Sequence, residues 1–382
     1  MIKYHEFWFN KKEEKEIIDV FRSGWLTTGL KTKKFEKDFQ KYTKSKFAIG
    51  LNSCTSALHL SLVALGIKKN DEVITSDITF PATANVIVHC GAKPVFIDVR
   101  NDNLNLDENK IEQAITSKTK AIIPVHFAGH PCEMDKIKEI AEKYNLKIIE
   151  DAAHSIESIY KNKKIGSISD TTCFSFYATK NITTGEGGMI TTDNSELEQK
   201  IRILSSHGLS KNAWERYSNN GYKFYDLLYP GYKYNMSDIQ AALGIQQLKK
   251  IENFWQKRKK FAEIYDEIFK DTEEIKVLKV SSNVKTSYHL YVIIVKIENL
   301  TVNRDFLINA IQKKGIGVAI HFPPLHLQLY YQQNYKFNKE NLKNAEYFGD
   351  RLISLPLYPK MKKQDVIKVG EIVKKTIEKY KK

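Results

Sequence analysis

Lys147-Ile148-Ile149-Glu150-Asp151-Ala152-Ala153-His154 opens the stretch that decides the fold, and Cys173-Phe174-Ser175-Phe176-Tyr177-Ala178-Thr179-Lys180-Asn181-Ile182-Thr183-Thr184-Gly185-Glu186-Gly187-Gly188 closes it. The first part is a short apolar run that ends in acid, the pattern of a strand buried on both faces. The second is an aromatic β-rich run that ends in a lysine, followed by a turn of Thr and Gly.

The same pattern extends outward in both directions. Apolar runs at Glu72–Thr75, Pro94–Asp98, Ala121–Val125, Lys147–Asp151, Cys173–Ala178 and Met189–Thr192 read as strands. Helical periodicity at Thr55–Leu65, Asp107–Ala114 and Met134–Tyr144 lies between several of them. Alternation of this kind predicts an α/β fold, a mostly parallel sheet covered on both faces by helices. Ligands in such sheets bind beyond the strand C-termini, which is where Asp151 falls. Past Pro230 the organisation changes. One long helical pattern over Ser237–Lys270 is suited to bridging two domains. A strand at Tyr288–Lys296, a helix around Arg304–Lys313, a strand-turn at Val318–His321 and helices at Glu340–Arg351 and Lys363–Tyr380 follow. The expected division is a large α/β domain over residues 1–250, which includes the N-terminal segment, and a smaller α+β domain over 251–382.

The chain has 382 residues, enough for two domains with a substantial core. Its 42% hydrophobic and 27% charged residues are those of a globular protein. No apolar run approaches eighteen residues, and Met1–His5 lacks a signal peptide's apolar region. The four cysteines, Cys54, Cys90, Cys132 and Cys173, form no CxxC pair, so neither a metal site nor a disulfide framework is expected, and a reducing cytoplasm fits. The net charge of +15 is spread along the chain and mixed with glutamate, as in Lys11-Lys12-Glu13-Glu14-Lys15-Glu16. With no DNA- or RNA-binding signature beside it, this charge reads as lysine-rich composition, one that also favours a phosphorylated small molecule.

A carboxylate at a strand end and a lysine before a Gly-rich turn are the two groups that pyridoxal phosphate chemistry requires. An amine must form an imine with the cofactor aldehyde, and an acid must keep the pyridine nitrogen protonated so that the ring accepts electrons. Taken alone, Asp151 also reads as a helix N-cap. Ser53-Cys54-Thr55-Ser56 precedes an apolar-periodic helix and reads both as a serine cap and as a phosphate cradle at the helix's positive end. Phe80, just past a strand, reads as core or as the flat partner of a ring.

These motifs resemble the DegT/StrS family of sugar aminotransferases, within the fold-type-I pyridoxal phosphate enzymes. The resemblance covers nearly the whole chain. It is carried by Gly24–Gly29, Asn52–His59, Thr119–His126, Glu150–His154 and Phe174–Gly188, and further on by Pro230–Asp238, His321–His326 and Leu355–Pro359. It implies that Lys180 is the Schiff-base lysine, that Asp151 partners the pyridine nitrogen, that His154 bonds near the ring oxygen and that Phe80 stacks on the ring. Cys54, Thr55 and Ser175 would hold the phosphate. Asn235, of the Lys-x-Asn motif, would reach a neighbouring subunit's cofactor phosphate, which implies a homodimer with shared sites. From the residues alone Asn235 reads as a helix N-terminal residue.

The resemblance also bears on substrate. Members that aminate the sugar 3-position often carry Lys-Asn-Leu-Gly…Gly-Asp-Gly-Gly, whereas Lys180-Asn181-Ile182-Thr183-Thr184-Gly185-Glu186-Gly187-Gly188 is similar to members acting on 4-keto sugars. The expected reaction is transfer of an amino group from L-glutamate to a nucleotide-linked 4-keto hexose, a 6-deoxy sugar by this likeness. A 3-keto sugar acceptor is one alternative, and a non-catalytic sensor of the same fold is another. Lys180 argues against the dehydratase relatives, in which histidine replaces the lysine. Glu186 orients a sugar hydroxyl or stabilises its loop, and His207 and His321 touch substrate or are structural.

Overall fold

The computed structural model of the chain describes residues 1–210 and 224–382. Two amphipathic helices come first, α1 (Lys11–Ser23) and α2 (Leu30–Thr43), followed by β1 (Phe47–Leu51), α3 (Cys54–Ala64), β2 (Glu72–Ser76), α4 (Pro81–His89), β3 (Lys93–Ile97) and β4 (Thr119–Ile123). Next come α5 (Met134–Tyr144), β5 (Lys147–Asp151), the two-residue strands β6 (Ile159–Tyr160) and β7 (Lys163–Lys164), β8 (Thr171–Ser175), β9 (Gly188–Thr192) and α6 (Ser195–Ser205). Strands β1-β9-β8-β5-β4-β2-β3 form one seven-stranded sheet in that order. It is mostly parallel: β3, β2, β4, β5 and β8 pair in parallel, and β9 runs antiparallel to both β8 and β1.

Every residue of β2, β8 and β9 is buried, which explains runs too uniformly apolar to alternate. Successive residues nevertheless serve opposite faces. Ala48, Ile122, Ile148, Phe174 and Met189 pack against Phe35 and Phe39 of α2 and Ile137 of α5. Ile49, Ile123, Ile149, Cys173 and Ile190 pack against Leu58 and Leu62 of α3 and Ile201 of α6.

The long pattern at 237–270 forms two helices, α7 (Asp238–Leu248) and α8 (Ile251–Phe269). The break at Lys249–Lys250 has neither glycine nor proline. Ile251 and Phe254 are drawn into the large core, while the Lys250 ammonium turns back to the buried Glu13 carboxylate and lies 5.3 Å from the Trp8 ring. Ser237 and Gln240 close a capping box on α7. Its first residue, Asp238, accepts hydrogen bonds from the Gly29 and Thr32 amides, so it caps α2, which lacks a cap of its own.

Beyond α8 lie β10 (Ile275–Val277), β11 (Val284–Lys285), β12 (Tyr291–Val295), α9 (Arg304–Lys313), α10 (Leu329–Asn334), α11 (Lys343–Gly349), β13 (Leu352–Leu355) and α12 (Lys363–Glu378). Strands β10-β12-β13 make an antiparallel sheet. Its core joins Ile293 and Ile353 to Tyr265, Leu307 and Val369 of the helices. Helix α8 spans both cores, with Phe254 in the first and Tyr265 and Phe269 in the second.

Three expectations fail locally. Residues 107–114 form two 3₁₀ turns, because Asp107 caps the first and Glu108 is held by Arg100, leaving no continuous amphipathic face. Residues 318–321 make no strand: only Ala319 bridges to Ser354, and the chain then turns into the cavity described below. The 340–351 helix is a 3₁₀ turn, Lys339–Leu342, followed by α11.

Candidate active site

The C-terminal ends of β1, β5 and β8 open onto one cavity of about 460 Å3. Each strand delivers its group through its own termination. After β1, Ser53 caps α3 by accepting from the Ser56 amide at 3.0 Å, the serine-cap reading of this segment. The cap uses one amide and leaves those of Cys54 and Thr55, at the helix's positive end, without an acceptor in the described chain. β5 ends at Asp151 and β8 at Ser175. Because β9 runs antiparallel, the segment from Phe176 to Gly187 leaves and returns at this same end and keeps Lys180 there.

Asp151 is buried. Its Oδ2 accepts from the Thr83 hydroxyl at 2.8 Å and its Oδ1 from the Ala153 amide at 3.1 Å. Burial raises its carboxyl above the usual range, while Thr83, the Ala153 amide and the charge of Lys180 oppose the rise. Burial pushes the Lys180 ammonium down to about 8, against the pull of Cys54 and Asp151. The neighbouring Glu150 points to the opposite face, where it meets His126 at 2.8 Å and the Thr172 hydroxyl at 2.8 Å. The Cys132 amide donates to His126 Nδ1, so Nε2 carries the proton shared with Glu150.

His154 and His321 line the back wall, and His289 packs behind His154. His154 and His289 are buried with ring centroids 4.4 Å apart, and burial holds both far below the ordinary imidazole range. His321 is pushed down to about 4 by burial and then by Lys180, and its Nδ1 meets Ser354 Oγ at 2.8 Å. All three are neutral at physiological pH. Phe80 stands 59% exposed at the mouth, edge-on to Phe322 with centroids 5.9 Å apart.

Thus the cavity brings together Cys54, Thr55, Phe80, Asp151, His154, Ser175, Lys180, Glu186 and His321. Asn235 and His207 lie elsewhere. Asn235 bridges to Leu51 and donates to Thr28 Oγ1 at 2.7 Å. His207 is exposed with φ of 62°, its amide bonded to the Tyr232 carbonyl. The sequence reading missed Thr83, His289 and Phe322. Thr83 had a faint signal, a Thr79-x3-Thr83 pair after β2 whose hydroxyls meet at 2.8 Å. Phe322 lay inside the His321–His326 motif without a role assigned to it, and His289 had no signal.

The donor set suits pyridoxal phosphate. Asp151 offers a buried, acceptor-only carboxylate with two neutral partners, which fits a protonated ring nitrogen. The Cys54 and Thr55 amides with the Thr55 and Ser175 hydroxyls fit a phosphate. The close approach around that cradle requires glycine: a Cβ on Gly188 would lie 2.3 Å from the Ser53 carbonyl carbon and 2.6 Å from the Cys54 nitrogen. Among the described residues no His, Cys, Asp and Glu group could hold a metal ion, and no helix is long and apolar enough to cross a membrane.

Residues 9–374 match the DegT/DnrJ/EryC1/StrS aminotransferase family. The chain is 46% identical over 365 residues to the spore coat polysaccharide biosynthesis protein SpsC of Bacillus subtilis, covering 95% of this chain and 94% of SpsC. Its fold superposes on PseC of Helicobacter pylori, an aminotransferase involved in the biosynthesis of pseudoaminic acid. The TM-score is 0.92 at 34% identity, over 99% of this chain and 100% of that one. The PMP form of Spr1654 from Streptococcus pneumoniae matches with a TM-score of 0.91 at 36% identity, over 97% and 98% of the two chains, and Spr1654 is also solved in a PLP form. The chain belongs to the DegT/DnrJ/EryC1/StrS aminotransferase family and is a sugar aminotransferase whose cofactor is pyridoxal phosphate.

Proposed function

We propose that this sugar aminotransferase moves the amino group of L-glutamate to C4 of a nucleotide-linked 4-keto hexose, a 6-deoxy sugar, and yields the 4-amino sugar. The observation that carries the reading is the joint placement of Asp151 and Lys180 in one cavity beside the α3 amides. The Asn181–Gly188 turn, similar to members acting on 4-keto sugars, supports the regiochemistry, and the net charge of +15 suits a nucleotide's phosphates.

In this reading Lys180 holds the cofactor covalently, Asp151 pairs with its ring nitrogen, Phe80 covers the ring and His154 donates to the ring oxygen. Cys54, Thr55 and Ser175 hold the phosphate. When bound, pyridoxal phosphate supplies the electron sink and carries the amino group from donor to acceptor. The remaining work belongs to the chain. With a pKa of about 8, the Lys180 amine is roughly one-tenth neutral at pH 7, so Nζ can take the donor's α-proton and later deliver a proton to the sugar's C4. The neutral histidines offer hydrogen bonds to substrate oxygens without competing for the anionic groups.

A homodimer is part of the proposal. Asn235 lies outside its own cavity, and its hydrogen-bond partner Thr28 is flanked in the chain by the exposed apolar side chains Leu26 and Leu30. Incubation of the loaded enzyme with glutamate and matched 4-keto and 3-keto nucleotide sugars tests the reaction, with the product's structure solved by NMR. An amine at C4 with one glutamate consumed per product is the expected result. An amine at C3 overturns the substrate assignment.

A further inference from the structure

Lys180 is followed by Asn181, whose side chain turns away from the cavity and is buried. Asn181 Nδ2 donates to Glu157 Oε2 at 2.5 Å. The other oxygen of Glu157 takes the guanidinium of Arg258, so this carboxylate is held from both sides. Arg258 comes from α8, the helix that enters both cores, and is itself 2% exposed. Its Nε reaches the Ser287 carbonyl at 3.4 Å. Ser287 Oγ donates to the His154 carbonyl at 2.5 Å, and two residues later His289 lies against the His154 ring.

Glu157 follows His154 by three residues, and Asn181 follows Lys180 by one. One guanidinium therefore ties together the loop after Asp151, the loop after Lys180 and the segment that carries His289. Stability is a poor reason to keep such a chain. Buried ion pairs seldom outperform apolar residues of the same volume. Asn181 Oδ1 is also buried without a donor among the described residues, a cost that an apolar side chain would not bear. What the chain achieves is registration: Lys180 and His154 are fixed relative to each other through one rigid helix.

We propose that Asn181 and Arg258 are positioning residues for aminotransfer, setting Lys180 and His154 in register through Glu157. The proposal rests on the reading of Lys180 as the cofactor's amine. Asn181→Ala cuts the link to Lys180 while leaving the Glu157–Arg258 pair whole. Arg258→Lys keeps the charge but loses the second donor to Ser287. Three measurements are compared with the parent: the melting temperature, kcat and KM of the holoenzyme, and the rate at which a lysine-acylating reagent modifies Lys180 in the apoenzyme at pH 8.

For Asn181→Ala the expected result is a folded protein whose melting temperature falls by a few degrees, because Glu157 Oε2 loses its donor, and a kcat lower by roughly tenfold, the scale of a small misplacement of a reacting group. KM should be little changed, and acylation of Lys180 should be several times faster. Arg258→Lys should move the same quantities in the same direction, and it stands in if Asn181→Ala fails to fold. Parental kcat and acylation rate in a folded variant overturn the proposal. Borohydride reduction of the parent keeps the two readings distinguishable. Cofactor fixed to another lysine overturns the reading of Lys180 itself, whereas cofactor on Lys180 with unchanged variants overturns the positioning alone.

Discussion

Two acid–base pairs lie within a few residues of each other and are arranged in opposite ways. Glu157 and Arg258 are closed on one another, and the hydrogen bonds of Asn181 and Ser287 complete the pair. Asp151 and Lys180 share a cavity, yet no ion pair joins them among the described residues, and Asp151's bonds come from a hydroxyl and an amide. Glu157, Arg258 and Asp151 are buried, and Lys180 is half-buried at the cavity. In the first, burial raises the Glu157 carboxyl and the Arg258 charge opposes it at contact distance. In the second, burial moves both groups toward neutrality, the acid upward and the ammonium down to about 8. A pair that has already spent its charges on each other is architecture, and one whose charges remain uncommitted is available for chemistry.

The largest test of this contrast is Lys180→Ala. We expect turnover to vanish while the melting temperature holds or rises, and borohydride reduction of the parent to fix the cofactor to Lys180 by peptide mapping. A variant with parental turnover would place Lys180 with the architecture. Next in size, Glu157→Gln should cost about 3–5 kcal/mol of unfolding free energy by leaving a buried guanidinium uncompensated. The double change Glu157→Leu with Arg258→Met should recover most of it. Denaturant titration of the apoenzyme measures both, and a cost below about 1 kcal/mol for the single change would mean that the pair is as loosely committed as a surface one.

Asp151→Asn comes third. It keeps the shape and removes the charge, so we expect kcat to fall by on the order of a hundredfold, as for a lost charge-assisted bond of a few kcal/mol. Stability should be unchanged or improved. Near-normal turnover would reduce Asp151 to a cap for the Ala153 amide. The smallest effect is a pH dependence. The folded pKa of Lys180, about 8, lies below the unfolded value of 10.5. The unfolded chain therefore binds more protons between these values, and stability gains from Lys180 as pH rises through that window. Below pH 8 the penalty for burying the ammonium is fully present. Apo Lys180→Met should thus be more stable than the parent at pH 7, by a margin that shrinks between pH 8 and 10.5. A margin independent of pH would contradict the lowered value.

What was legible in the sequence was local. The run into Asp151, the lysine before its turn and the Ser53 cap were each written in adjacent residues, and the strands from Glu72 to Asp151 came within two residues of their observed bounds, whereas the expected Cys173–Ala178 strand ends three residues earlier, at Ser175. What was not legible depended on contacts across the chain. Thr83 aligns Asp151 from sixty-eight residues away, and Asp238 caps α2 across more than two hundred. The break at Lys249–Lys250 carries no glycine or proline, because the demand for it comes from Glu13 and the large core. Strand β1 escaped although its five residues match the other strands of the sheet in length, and its partner β9 lies more than a hundred residues on. His321 and Phe322 enter the cavity on a segment whose strand-like sequence forms only one bridge.

Gly188 gives the site its gauge. Where β9 begins, the backbone passes so close to the start of α3 that the width of the gap is set by the absence of a single carbon. Alanine there alters no charge and deletes no donor, yet it wedges the amides of Cys54 and Thr55 away from Ser175 and the turn that carries Lys180. The tolerance of the machinery is therefore recorded at a position with no chemistry of its own, and a variant at that position would present as a failed catalyst with every reactive group intact.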